Sequence, residues 1–424
     1  MILPAKRTEG VKEYYFSRKS GELAALNGYR KSIGLSPIIS LGIGSPDRMP
    51  PEAAIEVLCS TAHLTDSHVY QNFRGIPELR KAFSDWYRRY YNVDLNPDGE
   101  IQPLVGSKEG IMLLALAFVN SGDKVLVPNP GYPTYNSSME IVGAVPVEYD
   151  LLPENDWYPD FDALEKTDLD GVKMMWMNYP SMPTGRDASL DLYRRAVDFG
   201  RRHNILIVND NPYSFVLTET PLSILEIPGA KDVCMELNSL SKAHNMSGWR
   251  IGMVAGAKEY ISAVLKVKSQ MDTGMFKPLQ MAAVAALSSG EEWFRQLNDG
   301  YRARREVAFR ILDAIGASYS RNSTGLFVWG HLSKDNPFIT KEKETESLAA
   351  GMGLALAAPE NGVSKTAGEI VSDYLLYKTG VFVVPGCIFG SNGNDCVRVS
   401  LCADVAKLQS AADAVNAEQV SAKF

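Results

Sequence analysis

Three apolar runs of strand length constrain this chain most. Lys124 to Pro128 leads into the turn-rich Pro128-Asn-Pro-Gly-Tyr-Pro133, while Lys173 to Asn178 and Asn204 to Asp210 each end in a polar residue and a proline. Helical patterns such as Ser189 to Arg202 lie between them. Strands alternating with helices build βαβ units and an α/β fold on a mostly parallel central sheet. Such sheets bind ligands at the carboxyl ends of their strands, so the polar residues that terminate these runs are the first candidates for chemistry.

At 424 residues the chain exceeds what one simple core accommodates, so two domains are expected. The helical pattern from Glu291 to Ala314 reads as the connector leaving the sheet domain. Beyond it, Gly325 to Gly330, Gly380 to Val384 and Cys396 to Leu401 are strand candidates of a smaller α+β domain. Residues 331–365 have no clear period and read as an insertion on it. Gly10 to Leu35 reads as an amphipathic helical arm. The expected division is an N-terminal segment over 1–48 packing with the small domain, a large domain over 49–295 and a small one over 296–424.

Composition removes several function classes. The net charge of -7 argues against a nucleic-acid or anionic-membrane surface as the main partner. No apolar stretch approaches the roughly 20 residues needed to span a bilayer, and the opening MILPAKRTEG lacks the apolar core of a secretory signal. Five scattered cysteines fit reduced thiols in a cytoplasmic protein, and five histidines show no metal-ligand spacing, so no metal is expected.

Chemistry concentrates in Asn238-Ser-Leu-Ser-Lys-Ala-His-Asn-Met-Ser-Gly-Trp-Arg-Ile-Gly252. Ser239 and Ser241 precede Lys242, and Arg250 follows it by eight residues. A lysine that captures carbonyls needs neighbours that lower its pKa. Two hydroxyls and a guanidinium suit the phosphate of an aldehyde cofactor. Ser-x-Ser-Lys alone reads equally as a solvated loop before a buried strand. Asp210 ends an apolar run in Val208-Asn-Asp-Asn-Pro-Tyr213, where a carboxylate could pair with a protonated pyridine nitrogen and Tyr213 could donate to a ring oxygen. The same residues are ordinary turn formers. Gly106-Ser-Lys-Glu-Gly110 opens a helix, whose free N–H groups make an anion site. Arg398 lies within an apolar strand pattern and needs an anionic partner, from the protein or from a ligand.

Taken together, and in this order from Leu41-Gly-Ile-Gly-Ser-Pro-Asp47 to Arg398, these motifs resemble the class I/II aminotransferases of fold type I. The resemblance implies pyridoxal 5'-phosphate held as a Schiff base on Lys242, with Asp210 and Tyr213 at its ring. It places Ser107, Lys108, Ser239, Ser241 and Arg250 at the phosphate, Tyr132 stacked on the ring, and Asn178 beside it. Arg398 and Gly44 fall at the substrate, with Arg398 gripping its α-carboxylate. Tyr70 matches a tyrosine that reaches the phosphate of a neighbouring subunit, which implies a homodimer with shared active sites. The implied reaction moves an amino group from an amino acid to a 2-oxo acid. A β/γ-eliminating lyase on the same fold is the alternative, and a non-catalytic regulator is a third reading. Ser269 to Phe276, followed by Pro278-Leu-Gln280, looks like a segment of diaminopimelate-type aminotransferases. One departure stands out: the family's Asn-Pro-Thr-Gly reads Met182-Pro-Thr-Gly185, and a thioether cannot donate to the cofactor's phenolic oxygen. Tyr213 alone, or helped by Asn178 or a water, would then hold that oxygen.

Overall fold

The structure, a computed structural model, describes residues 2–8, 13 and 15–421. Seven strands form its main sheet, in the spatial order Ile101–Leu104, Gly252–Gly256, Cys234–Ser239, Leu206–Asp210, Val172–Met177, Lys124–Asn129, Val145–Asp150. The last five are mutually parallel, and Gly252–Gly256 runs antiparallel to both of its neighbours. Their interior residues are mostly apolar, as a sheet covered by helices on each side requires, with Gln102, Asn209, Glu236 and Asn238 buried among them. The three expected strands are present, as is the helix Leu190–His203 between two of them, started by the Ser189 side chain and stopped at left-handed Asn204.

A second sheet holds Val384–Pro385, Cys396–Ser400, Phe327–His331 and Ser318–Tyr319, all antiparallel. The expected single strand over Gly380 to Val384 is divided. Val381–Phe382 pairs in parallel with Ile39–Ser40, and Val384–Pro385 pairs with the strand of Arg398. Residues 331–365, read from sequence as lacking a period, include the helix Glu342–Gly351. Its buried residues are Thr345 and Ala349 rather than large apolar ones, so the sequence carries little periodic signal there. The N-terminal helix is Tyr15–Ser32; Gly10 to Lys12 lie outside the described residues. It packs on Ala367–Thr379 through the buried Lys19, which pairs with Asp373 at 2.9 Å.

Helix Glu291–Ala314 runs unbroken across position 296 and ties the parts together. Trp293 Nε1 donates to the carbonyl of Ala243 at 2.8 Å, and Arg304 forks onto Asp47 at 2.7 and 3.1 Å. Segment 41–47 is sewn between the sheets: Ser400 N–H donates to Leu41 O, and Ser45 meets Ser247 at 2.9 Å.

Candidate active site

The carboxyl ends of the parallel strands converge on one cavity of about 460 Å³. Asp210 and Ser239 terminate their strands there, Asn178 follows Met177, and Tyr132 follows the turn after Asn129. Gly44, Ser107, Lys108, Tyr213, Ser241, Lys242, Arg250 and Arg398 complete the set, so every site residue expected from sequence lines this cavity except Tyr70. Tyr70 is 89% exposed on the surface.

At one end is an anion cradle. Gly106, at φ +76°, precedes the helix Ser107–Phe118, and a β-carbon on it would collide with the Arg250 guanidinium. Ser239 donates to Ser241 at 2.8 Å, while Arg250 donates to Ser241 at 3.4 Å and to Ser247 O at 2.7 Å. Arg250 itself sits at φ +57°. A left-handed backbone costs a non-glycine residue about 1 kcal/mol or more, so the guanidinium is kept there against a conformational cost. Helix N–H groups, two hydroxyls and a guanidinium together suit a phosphate.

Lys242 lies in the middle, its Nζ against the carbonyl of Gly44. Burial, with Arg250 and Arg398 adding to it against Cys402 and Asp210, brings the ammonium down from 10.5 to about 8. Asp210 accepts from the Tyr135 hydroxyl at 2.9 Å through Oδ2, and its Oδ1 is buried with no partner. Burial pushes this carboxyl up to about 6, the Tyr135 hydrogen bond opposing. Tyr213 is buried and stays protonated, because burial drives its pKa upward. Asn178 has its amide on the backbone: Nδ2 donates to Asp210 O at 2.7 Å and Oδ1 accepts from Met182 N–H at 2.8 Å. That use pins the loop carrying Met182.

Arg398 closes the other end, 4% exposed. Its guanidinium lies 3.8 Å from the Phe327 ring centroid and 4.5 Å from that of Phe389. Nη2 donates to Gly42 O at 2.8 Å and Nη1 meets Met182 Sδ at 3.3 Å. A β-carbon on Gly44 would collide with Phe327, so glycine there lets the ring reach the guanidinium. Sequence reading missed Tyr135, Phe327 and Phe389. Tyr135 stands two residues beyond the turn-rich Pro128 to Pro133; the two phenylalanines carry no local signal, since only the sheet and the loop bring them to Arg398.

The family model "Aminotransferase class I and II" matches residues 36–415. The chain belongs to that family. An LL-diaminopimelate aminotransferase of Aquifex aeolicus is 36% identical over 380 residues, covering 89% of this chain and 90% of that one. The substrate-bound structure of BacF from Bacillus subtilis superposes with a TM-score of 0.84 at 31% identity, covering 99% and 98%. A Thermus thermophilus aspartate aminotransferase mutant does so at 0.82 and 25%, covering 98% and 100%. The protein is therefore a pyridoxal-phosphate-dependent aminotransferase of fold type I. Its cavity fits that cofactor: its lining includes Asp210, which has an orphaned buried carboxylate oxygen, a set of donors suited to an anion, and a lysine of lowered pKa. Among the described residues no helix is long and apolar enough to cross a membrane, no His/Cys/Asp/Glu group could hold a metal, and the five cysteines are free thiols.

Proposed function

We propose that this aminotransferase holds pyridoxal phosphate on Lys242 and acts on amino acids of the diaminopimelate type. The carrying observation is the convergence on one cavity of Lys242, Asp210, Tyr213, the Ser107–Ser239–Ser241–Arg250 cradle and Arg398. When bound, the cofactor supplies an aldehyde that captures amino groups and a ring that withdraws electrons from the α-carbon. Ser107, Lys108, Ser239, Ser241 and Arg250 hold its phosphate, Tyr132 covers its ring, and Tyr213 donates to its phenolic oxygen. Asp210 holds a proton on its ring nitrogen. Arg398 orients the substrate carboxylate, and Lys242 Nζ, free of its carbonyl role, moves the α-proton as base and then acid.

Two observations support a long substrate. The relatives at 36% identity are LL-diaminopimelate aminotransferases. A second chamber of about 790 Å³ also adjoins the site, sharing Phe16, Lys108, Tyr132, Tyr135 and Phe389 with it. The test is a panel of amino donors, diaminopimelate and aromatic amino acids included, scored by appearance of the amine form of the cofactor. Ammonia and an oxo acid released without an acceptor would point to elimination instead.

The active form in this reading is a homodimer in the cytoplasm. Tyr70 stands on a surface with the exposed Val69, Met271 and Phe276, and Gly274 brings the 269–276 segment against the carbonyls of Gln71 and Asn72. A second copy covering that face would bring Tyr70 to its neighbour's phosphate. Sedimentation of the holoenzyme and a Tyr70→Phe titration with cofactor test it; a monomer with unchanged cofactor affinity in the variant contradicts it.

A further inference from the structure

One strand over from Asp210 lies a second carboxylate that the reaction as described does not use. Glu236 is fully buried in the strand Cys234–Ser239, its Cα opposite that of Asn209, the residue before Asp210. Four donors converge on it. Oε1 takes the Tyr87 hydroxyl at 2.8 Å and the Ser223 hydroxyl at 2.7 Å; Oε2 takes Asn209 Nδ2 and Ile224 N–H, each at 3.1 Å. No lysine, arginine or histidine pairs with it among the described residues.

The hydrogens of these contacts can be assigned. Ser223 Oγ accepts from Leu225 N–H at 3.2 Å, and the Tyr87 oxygen accepts from Asn238 Nδ2 at 3.3 Å, which leaves both hydroxyl protons to be donated to Glu236. Asn209 Nδ2 and Ile224 N–H can only donate. A carboxylate can accept from all four neighbours at once, whereas a protonated carboxyl would have to turn one hydroxyl into an acceptor and leave that hydroxyl's own proton without Glu236 as its partner. Burial raises the Glu236 carboxyl above its ordinary value and the four donors oppose that rise; four donors and no cation are the surroundings that stabilise an anion by hydrogen bonding alone. An unpaired buried charge is costly, and an apolar side chain would serve the core of a strand at less cost. Something other than packing keeps it there.

Its surroundings indicate what. The network it anchors touches the chain one residue away from three of the proposed cofactor contacts: Asn209 beside Asp210, Asn238 beside Ser239, and Ser214 beside Tyr213, the last through Tyr91 at 2.5 Å. The titratable groups facing Glu236 are Tyr87 and Tyr91 of helix Pro77–Tyr91, Tyr193 of helix Leu190–His203, Cys234 of its own strand, and Asp210. The tyrosines and Cys234 are held protonated by burial, so Asp210 is the group on which its field can act. A fixed negative charge in a medium of low dielectric raises the proton affinity of its neighbours.

We propose that Glu236 is an ionised positioning residue that acts through Asp210 to hold the proton on the cofactor's ring nitrogen. The inference rests on the reading above that Asp210 faces that nitrogen.

The experiment uses holoenzyme loaded with cofactor labelled with ¹⁵N in the ring, whose chemical shift reads the proton directly. In Glu236→Gln the pH midpoint for losing that proton should fall by about one pH unit; an unchanged midpoint in the folded, loaded variant overturns the proposal. A parent whose ring nitrogen carries no proton, or an Asp210→Asn variant that keeps it, would sink the Asp210 reading instead. Carboxyl-labelled ¹³C-glutamate in the parent supplies an independent readout, with Ser223→Ala moving and so assigning the Glu236 signal. That signal should stay at its ionised position from pH 8 to pH 5. A protonated position at pH 7 overturns the proposal even if Glu236→Gln does not fold.

Discussion

Two arginines face the same cavity from opposite ends, and their surroundings have little in common. Arg250 is an exposed residue on a turn, in contact with a hydroxyl and a carbonyl, among helix N–H groups. Arg398 is buried between two phenylalanine rings, with a thioether and a carbonyl on its edge. The first environment suits a phosphate that arrives with its own solvation and stays. The second has a weakly hydrated cation stacked on apolar faces, which suits the exchangeable substrate carboxylate of the proposed reaction. The same side chain therefore stands in two environments suited to different anions, and what differs is the packing around it.

Removing Arg398 should have the larger effect. Arg398→Ala is expected to lower kcat/KM for the amino donor by about 10²–10³-fold, as loss of a desolvated charge pair costs roughly 3–4 kcal/mol. Arg398→Lys should recover little of it, because an ammonium cannot stack or fork in the same way. Full activity in the lysine variant would show that the aromatic sandwich is incidental. Arg250→Ala should weaken cofactor binding by about 10–100-fold, read by equilibrium dialysis, since the serines and helix N–H groups remain. If instead the donor KM changed and cofactor affinity did not, the assignment of the two ends would be reversed.

Both cations also act on Lys242, which gives a pH test. A pKa lowered to about 8 means the amine is free above that pH, so capture of added cofactor by the apoenzyme should accelerate up to about pH 8 and level off above it. In Arg250→Ala and Arg398→Ala the plateau should move to higher pH, toward the ordinary lysine value. Stopped-flow absorbance reads it, and a rate still climbing at pH 10 in the parent would contradict the lowered pKa. The smallest effect is expected at Met182. Met182→Asn restores an amide donor beside the ring oxygen and should lower, by about one unit or less, the pKa seen in the visible band of the lysine-bound cofactor. Identical titrations of variant and parent would mean that Tyr213 holds that oxygen unaided.

The two ends also differ in how well the sequence reveals them. Ser239, Ser241, Lys242 and Arg250 lie within twelve residues, and their spacing alone suggests a lysine beside a phosphate. Gly106 and Ser107 add to it because a glycine turn into a helix has a local signature. Arg398 could be picked out only as a charge in an apolar strand. Its partners Phe327, Phe389, Met182 and Gly42 come from separate parts of the chain, and nothing in their own neighbourhoods marks them as neighbours of Arg398. The helix Glu342–Gly351 was illegible for a related reason: its buried face is Thr345 and Ala349, and small or polar residues leave no hydrophobic period.

Sequence by itself determined the parallel sheet, because βαβ alternation is written in short-range periodicity, and it singled out Lys242 with Ser239, Ser241 and Arg250 as the candidate cofactor site, because they lie within twelve residues at a strand end. Tertiary structure alone decided that one Asp210 oxygen is buried without a partner while Tyr135 takes the other. It also decided that Glu236, one strand away and equally buried, is enclosed by four donors. The two carboxylates look alike in sequence, each in an apolar run. What separates them is which donors the fold brings within 3 Å or so, and hydrogen-bond geometry of that kind is set by long-range contacts.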